Sequence, residues 1–383
     1  MRIQVIENLA GFEGLRGEWN ELLDDSDSNC LFLTWEWLYT WWKHLSGGRR
    51  LFIVTVRQGR ELLAIAPLAL RPPRWGRLVP YRSLEFLGTG AIGSDYLDSI
   101  LRRREQRALQ ALAEYLANQD FVLELAQLSR ESSFATQLAE HLRQRGWKLW
   151  KAKSDLCPFI NLSGHTWASY LERLGPTDRF QTRFKNLGRR FDMRFEQARS
   201  EEECRKFLEI LIQLHQLRWQ GKGSPGAFYT PSLLSFHEEL SQIALGRGWL
   251  RLFVLWLDGR PAASLYGFMY ERTFYFYQSG FDPQYAKHSV GFVTMGLTVK
   301  SAIEEGAEEY DLLHGDEPYK FHWTDTAREL DRVEFYPPSL RGSFYERVAK
   351  WGRLPRQTAR RLLGDTLADR IVEGGIVGFW KGS

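Results

Sequence analysis

Two stretches of this chain share one pattern although they lie about 200 residues apart. Residues 51–70 read LFIVTVRQGRELLAIAPLAL, and residues 252–270 read LFVLWLDGRPAASLYGFMY. Each stretch is predicted to form a strand, a glycine-containing turn and a second strand, and each follows two predicted helices. A repeat this long indicates two copies of one α/β unit and not a short-period solenoid. The chain is therefore expected to fold as an α/β (α+β) protein.

Apolar spacing places further elements in both copies. In the first copy we predict helices at residues 14–23, 34–42 and 103–117, and strands at residues 82–88 and 122–125. In the second copy we predict helices at residues 201–219 and 232–244, and strands at residues 273–280 and 309–313. The predicted domains are residues 1–165, residues 166–336 and a basic helical tail of residues 337–383.

Composition restricts the class of protein. Hydrophobic residues make up 44% of the chain, enough for a sizeable core, and the net charge of +4 does not by itself indicate nucleic-acid binding. The cysteines Cys30, Cys157 and Cys204 are too sparse for a disulfide framework or a zinc site, so we expect a reducing cytoplasm and no metal. Neither a signal peptide nor a membrane-spanning stretch is predicted.

The segment from Thr273 to Trp323 reads as a strand, a loop, a helix and a second strand. A loop that enters a helix offers unbonded amide groups and the positive end of the helix dipole to an anion. The amide groups predicted to hold phosphates belong to Lys287, His288, Ser289, Val290 and Gly291. The side chains of Lys287 and His288 would add positive charge, and that of Ser289 would add a hydroxyl. An ordinary helix start capped by Ser289 is the alternative.

The strand before this loop ends at Gln278, Ser279 and Gly280. If it separates from its neighbour, its backbone can pair with an amide-bearing ligand, as it would with a peptide. The pantetheine arm of coenzyme A carries such amides; a plain central strand is the alternative.

In the first copy, Asp95 and Asp98 occupy the corresponding loop, where two carboxylates would repel an anion. We therefore expect cofactor binding in the second copy and a substrate-shaping role for the first.

A polar cluster, DLLHGDEPYK, follows the last of these strands. His314, Asp316 or Glu317 is a candidate to take a proton from an attacking amine. Tyr319 is a candidate proton donor to a leaving thiolate, and Lys320 a candidate stabiliser of developing negative charge. A turn followed by a helix start, with the two acids as capping residues, is the alternative.

Two further groups are candidates for binding a substrate. Arg183 and Arg190 lie seven residues apart and share one face of a basic helix, which suits an anionic substrate, a CoA phosphate or a membrane surface. Arg218 and Trp219 end a helix before a Gly/Pro loop, as at the mouth of a substrate site. The alternatives are a solvated helix face and a glycine-terminated helix end.

Several motifs together resemble one family. The runs YQSGFDPQYAKHSVG and GLTVKSAIEEGAEEYDLLHGDEPYKFHW, with HQLRW, FLGTGAIGSDYLD and SNCLFLTWEWLYTWW, are similar to the CelD/BioF-like branch of the GNAT acyltransferases. The resemblance covers most of residues 15–336. This branch is similar to the Fem-type aminoacyl transferases, which also carry two GNAT-like halves. The resemblance implies tandem GNAT-like domains with mixed, largely antiparallel sheets flanked by helices.

The resemblance also implies a co-substrate, acetyl-CoA or another acyl-CoA. Its pyrophosphate would lie on Lys287–Gly291 and its pantetheine along Gln278–Phe281, so that Phe281 joins the predicted cofactor residues. Tyr319 falls near the position of the GNAT acid tyrosine. The expected reaction transfers an acyl group, in the first instance acetyl, to an amine on a small molecule, a sugar or a cell-envelope (exopolysaccharide) precursor.

Two alternatives to this function are open. One is a Fem-like transferase that uses aminoacyl-tRNA, which is the only case in which nucleic acid is expected as a partner. The other is a non-catalytic scaffold in polysaccharide assembly. In every case the protein is expected in the cytoplasm, with its basic tail able to contact the inner face of the membrane.

Overall fold

The computed structural model describes residues 1–72, 82–90, 92–174, 179–220 and 228–350. The helices are α1 (Leu9–Gly14), α2 (Arg16–Asp24), α3 (Trp35–Leu45), α4 (Gln106–Ala117), α5 (Ser133–Gln144), α6 (Trp167–Arg173), α7 (Arg179–Arg190), α8 (Glu201–Gln220), α9 (Pro231–Gly246) and α10 (Val290–Glu304). Shorter 3-10 helices span Leu31–Leu33, Pro283–His288 and Lys320–His322.

The strands are β1 (Arg2–Ile6), β2 (Arg50–Gln58), β3 (Glu61–Leu70), β4 (Ser83–Phe86), β5 (Ile100–Leu101), β6 (Val122–Ser129), β7 (Lys148–Asn161), β8 (Met193–Gln197), β9 (Leu250–Leu257), β10 (Arg260–Tyr270), β11 (Thr273–Phe281), β12 (Glu309–Asp311) and β13 (Ala327–Tyr336). Residues 340–350 are helical. The rest of the predicted tail, residues 351–383, lies outside the described residues, as does the loop at residues 221–227.

All these strands join one sheet in the order β1-β2-β3-β4-β6-β13-β7-β12-β11-β10-β9-β8, with β5 paired to β3. Two runs of this order match: β1-β2-β3-β4-β6 and β8-β9-β10-β11-β12. Within each run the neighbours are antiparallel except the last pair, β4 with β6 and β11 with β12, which is parallel. The predicted fold class, mixed and largely antiparallel sheets flanked by helices in two similar halves, is confirmed.

The last strand of each half lies in the other half's part of the sheet. Strand β7 pairs with β12 and β13, and β13 pairs with β6 and β7. The two exchanged strands run side by side at the centre, from Ala327 opposite Pro158 to Tyr336 opposite Lys148. A domain boundary near residue 165 stays a prediction. Strands from before this residue are hydrogen-bonded to strands from after it, as β7 is to β12 and β13, and β6 is to β13.

Local signals in the sequence explain most of the helix starts. The Thr34 side chain accepts a hydrogen bond from the Trp37 amide at 3.3 Å and so caps α3, whose Trp37 and Trp41 are buried. Thr230 caps α9 in the same way, with Pro231 at the first helical position. The helix expected at residues 14–23 is present as α2, which begins two residues later; α1, which was not predicted, precedes it, and Leu15 separates the two.

Candidate active site

A cavity opens where β11 and β12 separate. These strands pair only from Thr273 to Tyr275 with Glu309 to Asp311, and beyond that point β11 continues to Phe281 paired with β10 alone. The cavity has a volume of about 240 Å³. Its lining comes from α8, from His237 of α9, from the end of β11, from the segment after β12 and from the first-half loop at Ile92 and Gly93. The predicted separation of the strand is therefore present.

The start of α10 offers fewer amides than the sequence suggested. Residues 287 and 288 belong to a 3-10 helix, whose amides bond to carbonyls three residues back, and the Ser289 amide donates to the Ala286 carbonyl at 3.0 Å. Three amides of the first turn, those of Val290, Gly291 and Phe292, have no partner within the helix. The expected cradle over Lys287–Gly291 is thus corrected to residues 290–292.

Ser289 still fits an anion site, although it does not cap the helix as the alternative interpretation required. Its backbone is left-handed, with φ of 58°, and its side chain makes no capping hydrogen bond. The hydroxyl is therefore not engaged in capping the helix. The Phe281 ring lies 3.5 Å from where a Cβ at Gly291 would stand, so the end of β11 and the first turn of α10 are neighbours.

Positive charge surrounds this helix start. The Arg183 guanidinium lies 4.7 Å from the centre of the Phe292 ring, beside the first turn of α10. Burial and the nearby charges of Lys287 and Arg190 lower the pKa of His288, which places Arg190 near the same loop. The basic helix α7 therefore lies beside the start of α10, a position that suits the CoA phosphate among the three ligands expected for its arginines.

The end of β11 packs closely against α8. A Cβ at Gly280 would stand 2.7 Å from the Leu214 backbone carbonyl carbon, so glycine is required for this approach. The Ser279 carbonyl, on the strand's open side, lies 3.0 Å from His215 Nδ1. Both Gln278 and Ser279 line the cavity. One carbonyl of the predicted pantetheine edge is thus already bonded within the protein.

His314 forms a pair with an aspartate from the other half. Its Nδ1 lies 2.9 Å and 3.0 Å from the two carboxylate oxygens of Asp95, and its backbone amide donates to the same carboxylate at 2.9 Å. Asp95 is fully buried and also accepts from the Gln127 amide at 3.3 Å. Gly93, with φ of 68°, leaves room for the imidazole: a Cβ there would stand 3.0 Å from His314 Cε1.

The charge on Asp95 raises the pKa of His314 to about 9. His314 is therefore an imidazolium at neutral pH and has no site for a further proton, so the base role expected for it is corrected. Its side chain is 39% exposed and lines the cavity, so it can still reach a ligand.

His215 has the opposite character in the same cavity. Burial lowers its pKa, so the ring is neutral. Because Nδ1 faces the Ser279 carbonyl, it must carry the ring proton, which leaves Nε2 unprotonated. A neutral and a charged imidazole in one cavity are the usual combination for a base and an acid.

Tyr319 lines the cavity and is half-buried. Burial raises its pKa above the ordinary value for tyrosine, with the Glu317 charge adding to the effect, so the hydroxyl keeps its proton at neutral pH. The Arg218 guanidinium lies 5.8 Å from the Tyr319 ring centre and 5.4 Å from that of Phe281, and it donates to the Ser279 hydroxyl at 3.4 Å. Arg218 thus lies at the cavity, as expected for a substrate-site residue.

Three other expectations change or stay untested. Lys320 is buried, and its ammonium donates to the carbonyls of Leu313 and His314 at 3.1 and 2.6 Å while pairing with Glu317 at 3.0 Å. It holds the segment after β12 in place and is not available to stabilise a reacting group. Asp316 is exposed and does not line the cavity, so it is no candidate base. The side chain of Trp219 lies outside the described residues.

The sequence interpretation missed Asp95 and the role of His215. Asp95 lies 219 residues from His314 and was assigned only a repulsive effect on anions. The one available signal was Gly93 two residues earlier, a glycine of the kind that allows close approach. His215 was noted only as part of a helix end, because its contact with the Ser279 carbonyl is made between elements 64 residues apart.

Comparison with known families agrees with this geometry. Residues 178–321 match the family described as an acetyltransferase (GNAT) domain. Over these residues the chain is similar to a GNAT domain, and the strand separation and helix start of the candidate site lie within the matched range. Membership of the CelD/BioF-like branch stays a prediction.

Solved structures share the fold over most of the chain. FemX is 12% identical with a TM-score of 0.60, covering 86% of this chain and 97% of FemX. A conserved protein of unknown function from Bacteroides thetaiotaomicron is 10% identical with a TM-score of 0.53, covering 87% of this chain and 99% of its own. The C-terminal domain of a putative lysylphosphatidylglycerol synthetase from Agrobacterium fabrum is 11% identical with a TM-score of 0.50, covering 89% of this chain and 96% of that domain's chain. At these identities the likeness concerns the fold alone.

No curated protein sequence matches the chain. In the described part of the chain, no helix combines the length and apolar character needed to cross a bilayer. Within the same residues, no three histidine, cysteine or acidic side chains gather as metal ligands would.

Proposed function

We propose that this protein is an N-acyltransferase that moves an acyl group from acyl-CoA to an amine, on a sugar or a cell-envelope precursor. One observation carries the proposal: the open amides of Val290–Phe292 adjoin the free edge of β11, and a cavity with a neutral and a charged histidine lies along that edge. A diphosphate fits the amides and the nearby arginines, and an extended amide-bearing arm fits the strand.

The reaction needs one proton removed and one supplied. The amine nitrogen attacks the thioester carbonyl carbon, and His215 Nε2 takes the proton that the amine loses. The C–S bond then breaks, and the thiolate receives a proton from the His314 imidazolium, whose pKa of about 9 lies close to that of a thiol. Tyr319, which remains neutral, donates a hydrogen bond to the developing negative charge. Asp95 keeps His314 charged and oriented.

The donor assignment is tested by isothermal calorimetry with acetyl-CoA on wild type, Gly291→Glu and Gly291→Gln. A Cβ at Gly291 makes only ordinary contacts, and a glutamate in the first helical turn favours the helix, so both variants should fold. We expect Gly291→Glu to bind at least about tenfold more weakly than Gly291→Gln, because only the glutamate adds a negative charge to the diphosphate site. Absence of binding to wild type, or equal binding to both variants, would remove the assignment.

An aminoacyl-tRNA donor is the second candidate, favoured by the placement of α7. Arg183 and Arg190 lie beside the start of α10, where they could equally contact RNA phosphates. This candidate predicts that charged tRNA, and not acetyl-CoA, supplies the acyl group, with binding that weakens steeply as salt increases. Mass spectrometry of products from a cell extract supplied with either donor separates the two.

A further inference from the structure

A second cavity, of about 580 Å³, lies between the two halves. Its first-half walls are the segments at residues 26–30 and 96–106 and the residues that follow β6; Thr273, Tyr275, Glu309 and Asp311 contribute from the second half. The volume is in the usual range for small-molecule sites, about 300–1,000 Å³. No residue lines both this cavity and the one proposed for acyl transfer.

The lining of this second cavity is rich in hydroxyl and amide groups, among them Ser26, Ser28, Asn29, Ser132 and Gln137. Such side chains both donate and accept hydrogen bonds, as the hydroxyls of a polyol require. One of them has an unmet need: Ser99 is 1% exposed, and its hydroxyl has no hydrogen-bond partner in the structure. A buried hydroxyl without a partner costs free energy that a bound polar ligand would recover.

Two buried acids line this cavity. Asp311 accepts a hydrogen bond from the Tyr96 hydroxyl at 2.7 Å and lies 3.7 Å from the Arg328 guanidinium. Asp98, which is 7% exposed, is the other. It accepts the Ser99 amide at 2.8 Å and bonds to Ser132, but among the described residues it forms no salt bridge with a basic side chain. Burial raises its pKa to about 7, although the hydrogen bonds from Ser132 and the Ser99 amide act in the opposite direction. A buried carboxylate normally has a cation beside it.

The arginines at this cavity do not supply that charge. Three of them have acidic partners of their own. Arg102 bonds to Asp25 at 3.0 Å, and Arg103 bonds to Asp27 at 3.0 Å. Arg328 pairs with Glu309 through both terminal nitrogens of its guanidinium. Arg104 is exposed to solvent. The lining therefore presents a buried, unneutralised carboxylate among hydroxyl groups.

We propose that this cavity is a second ligand site, for a hydroxylated molecule that carries an ammonium group, such as an amino sugar or an amino polyol. The ammonium lies on the Asp98 carboxylate, and Ser99 and the neighbouring hydroxyl and amide groups bind the ligand's hydroxyls. Because the two cavities share no lining residue, this site does not depend on the proposed acyl transfer.

The test measures the binding of glucamine, an amino polyol. Sorbitol, which has a hydroxyl in place of the amine, is the neutral control, and glucose 6-phosphate is the anionic control. Calorimetry at pH 8 keeps both Asp98 and an alkyl ammonium charged. We expect glucamine to bind wild type at least about tenfold more tightly than sorbitol, since one buried charge pair is worth at least 1.4 kcal/mol. Asp98→Asn should lose this preference.

Three further variants keep the test decisive. Ser133→Trp places a large ring at an exposed residue of the lining and should block the cavity without changing the core. Tyr319→Phe, in the other cavity, and Glu202→Gln, on the exposed side of α8, should both bind glucamine like wild type. Circular dichroism confirms that each variant is folded. No glucamine binding to wild type, equal binding to folded Asp98→Asn and Ser133→Trp, or tighter binding of glucose 6-phosphate would overturn the proposal.

Discussion

Two of the three histidines that line the candidate active site are held in opposite protonation states by their surroundings. Asp95, a charge from the first half, keeps the His314 pKa at about 9, and burial against the end of β11 lowers the His215 pKa. The largest cause of each shift, the Asp95 charge for His314 and burial for His215, comes from packing between elements that are distant in sequence. In the proposed reaction, packing between distant elements thus supplies both an acid and a base at neutral pH.

The pH dependence of kcat/KM follows from this pair. At low pH we expect kcat/KM to decrease as His215 becomes protonated; because its pKa is lowered, this happens below the ordinary histidine pKa of about 6.5. At high pH we expect kcat/KM to decrease again above about pH 9, as His314 loses its proton. The measurement is initial rate against pH with saturating acyl donor and a suitable amine.

Variants assign the two limbs of this profile. His314→Gln should remove the limb near 9 and lower kcat by about 10²–10⁴-fold, the usual contribution of a general acid. Tyr319→Phe should lower kcat yet keep both limbs, because the tyrosine only donates a hydrogen bond. If Tyr319→Phe instead abolishes the alkaline limb, the tyrosine is the acid and His314 is not.

At the scale of elements, the site depends on how closely β11 approaches α8 and on where α10 begins. The amides of the loop before α10 are hydrogen-bonded within a 3-10 helix. Only the amides in the first turn of α10 are therefore open to an anion. The contact between Gly280 and α8 fixes His215 over the strand edge. Both features are made by backbone packing, which side-chain patterns in the sequence do not report.

Gly280→Ala tests the contact between β11 and α8. The new methyl group would overlap the backbone of Leu214 and His215, so we expect a loss of about 1–3 kcal/mol in unfolding free energy and a marked loss of activity as His215 moves. Gly188→Ala is the control: nothing lies within 4 Å of its Cβ position in α7, and alanine should stabilise this helix by about 0.4–1 kcal/mol. Urea unfolding measures both, and equal stability of the two variants would contradict the packing account.

Elements with a clear apolar period were predictable, and the central strands were not. Helix α3 and the hairpins β2–β3 and β9–β10 follow from capping, turn and spacing signals. Strands β7 and β13 were missed because charged residues interrupt any apolar alternation. Those charges pair across strands in the structure, as Lys151 does with Asp331 and Lys153 with Glu329, at 2.7 and 2.9 Å.

At the scale of the whole molecule, the exchanged strands make the two halves interdependent. In its own half β7 has no hydrogen-bonded neighbour, since both of its partners, β12 and β13, belong to the second half. Likewise β13 pairs only with β6 and β7 of the first half. The dyad of Asp95 and His314 crosses the same boundary, so the active site also requires both halves.

Cutting the chain at the predicted boundary tests this interdependence. A fragment of residues 1–165 should not fold alone, because β7 and one edge of β6 would lack partners and expose unpaired backbone groups. Coexpression with residues 166–383 should restore a folded complex. The measurement is heteronuclear NMR of each fragment alone and of the pair; a dispersed, stable spectrum from residues 1–165 by itself would contradict the prediction.

By itself the sequence determined that the chain is a two-copy α/β protein, and which loop enters its main helix. These properties are written in local periodicity, turn residues and capping groups, each of which acts within a few residues. Only the tertiary structure decided the strand exchange, the pairing of His314 with Asp95, the neutral state of His215 and the structural role of Lys320. These depend on distances and burial between residues far apart in the chain, where the strength of an electrostatic interaction is set by surroundings that no local pattern specifies.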